Sequence, residues 1–378
     1  MKICYITVLD RVIKYFVKPH VNSVCEENEV TCISNFTDEK FREELEQEAK
    51  TVDIKISRNV NPINLIKSII KLTKFFKKEK FDIIQYTGPS TSLICSIAGK
   101  RAKIKKRVYC LWGVRYEGFN GIKRSIFKFL EKKTCKLSTN VIFDSESNRD
   151  FLIGEGVVDS NKTRVISKGS ACGIDTNVFD INKKEEYKKT VRDKYQIPSE
   201  AFVFGYLGRV SQEKGINEFL YAIKQITQED ENVYALIVGF IENEVGLDKQ
   251  LLEWARNEKR VIFTGRQDNP EMFYASFNMF VFPSYREGFG GGVVQAGALA
   301  VPSIVSDIGP LKESIRYGEL GRYCRLKDSD SLLEEMRNLY KDKNTLEKLG
   351  QDMLNYVQQN FDMKLWTQEY KQYLLDME

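Results

Sequence analysis

The chain has 378 residues, of which 42% are hydrophobic and 29% charged; this is ordinary for a folded globular protein and longer than one hydrophobic core supports. No apolar run approaches the roughly 18 residues of a spanning helix, and a single histidine with eight scattered cysteines and no CxxC pair argues against His-rich metal sites, most hydrolytic triads, zinc clusters and a disulfide framework. The net charge of +5 hides opposite halves: residues 1–172 carry 32 Lys and Arg against 20 Asp and Glu, the remainder 26 against 33, and residues 60–136 alone carry 19 against 4.

The opening "KICYITVL" (residues 2–9) alternates like a strand and is followed by no small-residue cleavage site, so it does not read as a secretory signal. A reducing cytoplasm is the expected compartment. Further strands are expected at "EVTCIS", "DIKI", "DIIQYTG", "KRVYCLW", "NVIFDS" and "TRVISKG", with helical patterns between them at "NPINLIKSIIKLTKFFKKEK" and "NGIKRSIFKFLEKKTCKLS". After "GIDTNVFDINKKEEY" the rhythm restarts at "AFVFGYLGR" and runs through "VYALIVG", "RVIFTG", "MFVFPS" and "PSIVSD". Such alternation predicts two doubly wound α/β domains. The expected boundaries are an N-terminal domain over 1–172 and a C-terminal domain over 173–360, with a final helix in 361–378 packing back on the first. In open parallel sheets ligands sit beyond the carboxyl ends of strands, so the chemistry is expected in loops that follow strands.

Two strand–turn–helix junctions carry candidate chemistry. In "FVFGYLGRVSQEKGINEFL" (202–220), Gly205 and Gly208 thin the strand end, while Arg209 and Lys214 bracket the turn. A guanidinium fork and a compact ammonium five residues apart suit one diphosphate, although two ordinary cations on a solvated turn would look the same. In "FVFPSYREGFGGGVVQAGALA", Gly290, Gly291 and Gly292 fall where a helix begins, and helix N-termini favour anions. Glu287 stands where it could accept from sugar hydroxyls, and Gln295 lies on the helix's early turns. The competing account is a glycine-rich crossing that packs tightly for structural reasons.

These junctions, in this order, resemble family 4 of the retaining glycosyltransferases, which have the GT-B fold: two Rossmann-like domains facing each other across a cleft. The specific part of the resemblance spans 203–313 and includes "VIFTGRQDN" and Glu313 after "GPLK". It implies transfer of a hexosyl or N-acetylhexosaminyl group from a nucleotide-diphosphate donor, expected to be a UDP-sugar, to a lipid-linked or polysaccharide acceptor in surface or capsular glycan synthesis. It also implies that Arg209 and Lys214 hold the diphosphate and that the backbone of Gly208 and of Gly288, Phe289 and Gly290–Gly292 lies against the donor. Glu287 would contact sugar hydroxyls, Gln295 the ribose, and Gly265 and Arg266 the nucleobase. Neither a metal nor another cofactor is then needed. A GT-B epimerase or phosphorylase, or a non-catalytic nucleotide-sugar-binding subunit, is the alternative.

The chain departs from the family pattern in three places. The second carboxylate of the Glu, seven residues, Glu motif is Gln295, which can still accept from a hydroxyl but carries no charge. The histidine that many members place near the reacting sugar is absent; "LWGVRYEG" stands there, leaving Trp112, Gly113, Arg115 and Glu117 as acceptor-side candidates. The first loop lacks glycine and holds His20, which could face the cleft as a further candidate or, on an early helix, be a surface or core residue. "DSD" at 328–330 resembles a metal-binding DxD, but a helix N-cap before "SLLEEMRNLY" explains it better.

On the basic surface, Lys67, Lys71, Lys74 and Lys78 recur along one helical face, with Ile66, Ile69, Ile70 and Phe76 broadly on another. "KRAKIKKR" and "KRSIFKFLEKKTCK" add cations. Such a surface is either a solvated exterior or a dock for the anionic inner face of a plasma membrane. Nucleic acid is the least supported partner, because no stacking aromatics are interleaved with the cations.

Overall fold

The computed structural model describes residues 1–56, 62–241 and 243–377. The chain divides into two compact units, Met1–Gly173 with Met363–Glu378, and Ile174–Asp362.

Among the described residues the first unit holds seven strands: β1 (Lys2–Leu9), β2 (Glu29–Asn35), β3 (Lys50–Asp53), β4 (Ile83–Thr87), β5 (Lys106–Leu111), β6 (Asn140–Phe143) and β7 (Thr163–Val165). They form one parallel sheet in the order β3-β2-β1-β4-β5-β6-β7. The second unit holds β8 (Phe202–Leu207), β9 (Val233–Val238), β10 (Val261–Gly265), β11 (Met279–Phe282), β12 (Ser303–Ser306) and β13 (Arg322–Cys324), parallel in the order β10-β9-β8-β11-β12-β13. The central strands are buried on both faces, which is why they read as continuous Val, Ile and aromatic runs rather than alternating ones.

One expected strand is displaced and one strand was not expected. The strand expected at residues 53–56 lies at Lys50–Asp53, because a sheet-edge strand is specified by backbone pairing with β2 rather than by apolar content. The short β13 carries too few residues to show a period, and it forms by pairing with β12.

The helices Pro62–Glu79, Pro89–Arg101 and Gly121–Leu137 follow β3, β4 and β5 in turn. Each crossover advances the same way across the sheet, so right-handed connections place all three on one face. Neighbours within this layer touch, and the middle helix is largely buried. The pattern expected to begin at Asn61 starts outside the described residues. Ile69 and Phe76 are buried, but Ile66 and Ile70, expected beside them, are exposed. They sit roughly a quarter-turn or more round the helix from the line through Ile69, Leu72 and Phe76.

The terminal helix Met363–Asp376 belongs to the first unit and buries Trp366, Tyr370 and Leu374. A chain of hydrogen bonds holds it. Tyr5 Oη contacts Tyr370 Oη at 3.0 Å, Tyr370 Oη donates to Gln85 Oε1 at 2.6 Å, and Gln85 Nε2 meets His20 Nδ1 at 3.0 Å. His20 Nε2 then donates to the Ala171 carbonyl at 2.7 Å, and Trp366 Nε1 donates to the Gly169 carbonyl. His20 is 1% exposed and packs against the rings of Trp366 and Tyr370. As an acceptor-side candidate it is therefore corrected: both nitrogens are engaged inside the core. Burial lowers its pKa from 6.5 to about 4.

The unfolded chain thus binds a proton that the folded chain refuses between about pH 6.5 and pH 4, so stability is full above this window and falls as pH drops through it. Chemical denaturation at pH 7 and pH 4.5 should show a loss to which His20 contributes up to roughly 3 kcal/mol. His20→Gln, less stable at pH 7, should lose correspondingly less on acidification; an equal loss in both chains would contradict this assignment.

Candidate active site

Sheet order in the second unit reverses between β8 and β11: β9 and β10 extend to one side, β12 and β13 to the other. At such a switch point the loops leaving two adjacent strands diverge and open a crevice at their carboxyl ends. Met279 pairs with Phe204 and Phe280 with Gly205, so the two motif-bearing turns lie side by side.

Their approach is close. Gly215, at φ +71°, caps the helix Ile216–Glu229, and a Cβ there would overlap the Pro283 carbonyl. Any other residue would force the turns apart as well as occupy an unfavourable left-handed conformation. The Tyr285 amide donates to the Glu213 carbonyl at 2.8 Å, and Tyr285 Oη donates to Glu218 Oε1 at 2.6 Å. Lys214 Nζ meets Glu287 Oε1 at 2.5 Å, with the two side chains 17% and 16% exposed. The ammonium also lies 5.5 Å from the centre of the Phe282 ring. Tyr206 Oη donates to the Arg209 carbonyl at 2.7 Å, and the buried Tyr206 phenol, pushed up first by desolvation, feels both Glu287 and Arg209. Arg209 leaves β8 on the same turn as Lys214, which the ion pair joins to Glu287.

The three glycines are not equivalent. A Cβ on Gly290 would strike the Ser314 side chain, and one on Gly292 would lie 2.8 Å from Tyr274 Oη. Packing alone accounts for these two. Gly291 is exposed, with nothing within 4 Å of where its Cβ would stand, and it begins the helix Gly291–Ala298. Tight packing thus explains two of the three, and the backbone at Gly291 is open. The Phe289 ring is buried against Phe361 at 5.5 Å, which leaves only its backbone for a ligand. Gln295 is half-buried on the same helix.

A family model described as glycosyl transferases group 1 matches residues 187–354, and one described as glycosyl transferase 4-like matches residues 2–145. The chain is 30% identical over 319 residues to CapM of Staphylococcus aureus, a capsular polysaccharide biosynthesis glycosyltransferase, covering 84% of this chain and 82% of that protein. The chain belongs to the family 4 glycosyltransferases. A second relative, 27% identical and covering 85% of this chain and 82% of its own, is the UDP-Gal:alpha-D-GlcNAc-diphosphoundecaprenol alpha-1,3-galactosyltransferase of Escherichia coli. The crystal structure of Anabaena HepE with UDP and glucose matches with a TM-score of 0.79 at 19% identity, covering 100% of both chains. The fold is GT-B.

The other expected residues of this glycosyltransferase each have their own local surroundings. Gly265 ends β10 at the sheet edge, and exposed Arg266 pairs with Asp268 at 3.5 Å. Glu313 sits on the helix Gly309–Ser314, one residue before the serine that packs on Gly290. In the first unit, half-buried Trp112 packs on Phe16 at 5.7 Å, and Gly113 follows it at φ +100°. Arg115 lies over the Phe127 ring at 4.7 Å, and Glu117 is exposed. Asp328 caps the helix Ser329–Lys341 by accepting from the Ser331 amide at 2.8 Å.

Sequence reasoning overlooked Tyr285 and Glu218. Their signal was available: Glu218 is a carboxylate among Ile216, Phe219, Leu220 and Ile223 on the buried side of its helix. A charge placed there needs a partner.

The glycine assignment separates cleanly by mutation. Gly290→Ala should cost roughly 1–3 kcal/mol through overpacking, read by chemical denaturation. Gly291→Ala should leave stability within about 0.5 kcal/mol yet weaken nucleotide-sugar binding in calorimetry. Equal stability losses in the two would contradict the distinction.

Proposed function

We propose that this chain is a retaining glycosyltransferase that transfers a sugar from a UDP-sugar to a polyprenyl-diphosphate-linked saccharide during surface glycan synthesis. The observation that carries the reading is the Lys214–Glu287 pair joining the turns that leave β8 and β11 at the switch point, with Arg209 on the first turn and the open Gly291 helix start following the second. The choice of UDP draws on the HepE complex, and the lipid-linked acceptor on the Escherichia coli relative's name. Residence at the inner face of the plasma membrane follows from such an acceptor.

In this reading Lys214 is neutralised by Glu287 until donor arrives. The diphosphate carries more negative charge than one carboxylate, so it draws the ammonium toward itself, and Glu287 becomes free to accept from sugar hydroxyls. The bond from the sugar's anomeric carbon to the diphosphate oxygen breaks, and its electron pair leaves with UDP. The acceptor oxygen forms the new bond on the face that the diphosphate vacates, and its proton passes to the departing phosphate. Negative charge grows on that phosphate in the transition state, where Arg209, Lys214 and the amides around Gly291 stabilise it. These groups supply the positive charge without a metal. Gln295, uncharged, would hold the ribose by neutral hydrogen bonds.

Two tests follow. In thermal-shift titrations, UDP-sugars should stabilise the protein by mass action more than GDP- or dTDP-sugars; stabilisation by another base alone would overturn the donor assignment. Arg209→Ala and Lys214→Ala should each lower kcat/KM by about 100-fold or more, measured with a polyprenyl-diphosphate saccharide and chromatographic analysis of the product anomer. EDTA should leave the rate unchanged. Wild-type rates in both variants would remove the diphosphate role, and donor turnover to a free epimer without acceptor would make the chain an epimerase.

A further inference from the structure

The helix Gly121–Leu137 is apolar on its outermost side. It buries Glu131, Thr134 and Cys135 toward the sheet. On the opposite side Ile122, Ile126 and Phe129 recur at i, i+4 and i+7 and are 82%, 53% and 62% exposed. With Gly121 and Ser125 they line an open, mostly apolar depression. A helix that merely covers a sheet keeps this face polar.

The pattern repeats two helices away in the same layer. On Pro62–Glu79, the exposed Ile63, Ile66 and Ile70 follow at i, i+3 and i+7, beside exposed Lys67, Lys71, Lys74 and Lys78. On Gly121–Leu137, Arg124 and Lys128 are taken up by Glu155 at 3.1 and 2.8 Å, while Lys132, Lys133 and Lys136 face solvent. The two helices carry one acidic residue each: Glu131 is buried, and Glu79 pairs with Lys50 at 3.5 Å. The face is thus apolar and cationic, with its acids withdrawn. Two copies meeting through it would bring like charges together, and a nucleic acid would meet isoleucines where phosphate contacts belong. An anionic lipid surface satisfies both features, with apolar side chains in the acyl boundary and lysines at the phosphates. No described helix is long and apolar enough to cross a membrane, so the contact is one of docking. The stripe begins at Ile122, just past the Trp112–Glu117 loop that leaves the carboxyl end of β5.

We propose that this helix layer docks the first unit on an anionic membrane, with Ile122, Ile126 and Phe129 inserted at the headgroup–acyl boundary. The proposal rests on the lipid-linked acceptor reading above and adds the surface and the lipid class. Flotation of the full chain with phosphatidylglycerol–phosphatidylcholine vesicles tests it. The wild type should float at low salt, far less at about 0.5 M salt, and not with phosphatidylcholine alone. Ile126→Asp with Phe129→Asp, and separately Lys132→Glu with Lys133→Glu, should each cut vesicle partition by about tenfold with unchanged melting temperature, because these side chains are exposed. A wild type that does not float, or variants that float like it, overturns the proposal. A concentration-dependent dimer dissolved by Phe129→Asp, without flotation, assigns the face to self-association and also overturns it. Activity separates the two readings: the aspartate variant should keep transfer to a water-soluble short-chain acceptor and lose it with vesicle-embedded acceptor. If the wild type transfers to neither, the glycosyl-transfer reading fails while the flotation result stands.

Discussion

The site in the second unit depends on how closely the turn after β8 can approach the turn after β11. Gly215 against the Pro283 carbonyl sets that distance, and a side chain at 215 would open it. Once the backbones touch, the rest follows locally. The amide of Tyr285 reaches the Glu213 carbonyl, Tyr285 Oη reaches Glu218, and Lys214 is presented to Glu287. A half-buried ion pair of this kind gains attraction and loses hydration together, so its net contribution to stability is small. Its consequence is organisational: a cation and a carboxylate are held side by side on adjacent turns before any ligand arrives.

The first unit solves a different problem, which is how to hold a terminal helix whose chain has already passed through another unit. It does so with a polar chain inside the core, from Tyr5 through Tyr370, Gln85 and His20 to the Ala171 carbonyl. Tyr5 Oη and Gln85 Oε1 find their partner in Tyr370 only if the helix is docked, so undocking would strand these buried groups as well as expose Trp366. The cost in chemistry is specific. The single imidazole of the chain is consumed as a core hydrogen-bonding bridge, and proton transfer at the acceptor must come from another group or from the donor phosphate itself.

How much of this was legible in the sequence depended on what specifies each feature. The central strands were legible because double-sided burial writes itself as Val and Ile runs, as in "VYALIV" and "MFVF". Edge pairing leaves no such mark, so β3 lay three residues earlier than expected and β13 went unseen. The glycine run marked the right place without revealing its division of labour. Whether a missing Cβ makes room for Ser314, Tyr274 or a ligand is a tertiary fact. His20 could be placed on an early helix but not in the core, because its partners come from residues 85, 171, 366 and 370. The Glu218–Tyr285 tether was present as a charge on an apolar helix face and was overlooked.

The outward helices of the first unit obey the same distinction. Periodicity set Ile66 and Ile70 broadly on one face with Ile69 and Phe76, yet the core is complete without them. Ile69, Leu72 and Phe76 fill the space above the sheet, as Thr134 and Cys135 do beneath Gly121–Leu137. Folding therefore places no demand on Ile63, Ile66, Ile70, Ile122, Ile126 or Phe129, and solubility argues against each of them. Side chains that neither the core nor water favours are explained by what lies outside the chain. The lysines set among them, with nearby acids buried or paired, specify that this outside is negatively charged.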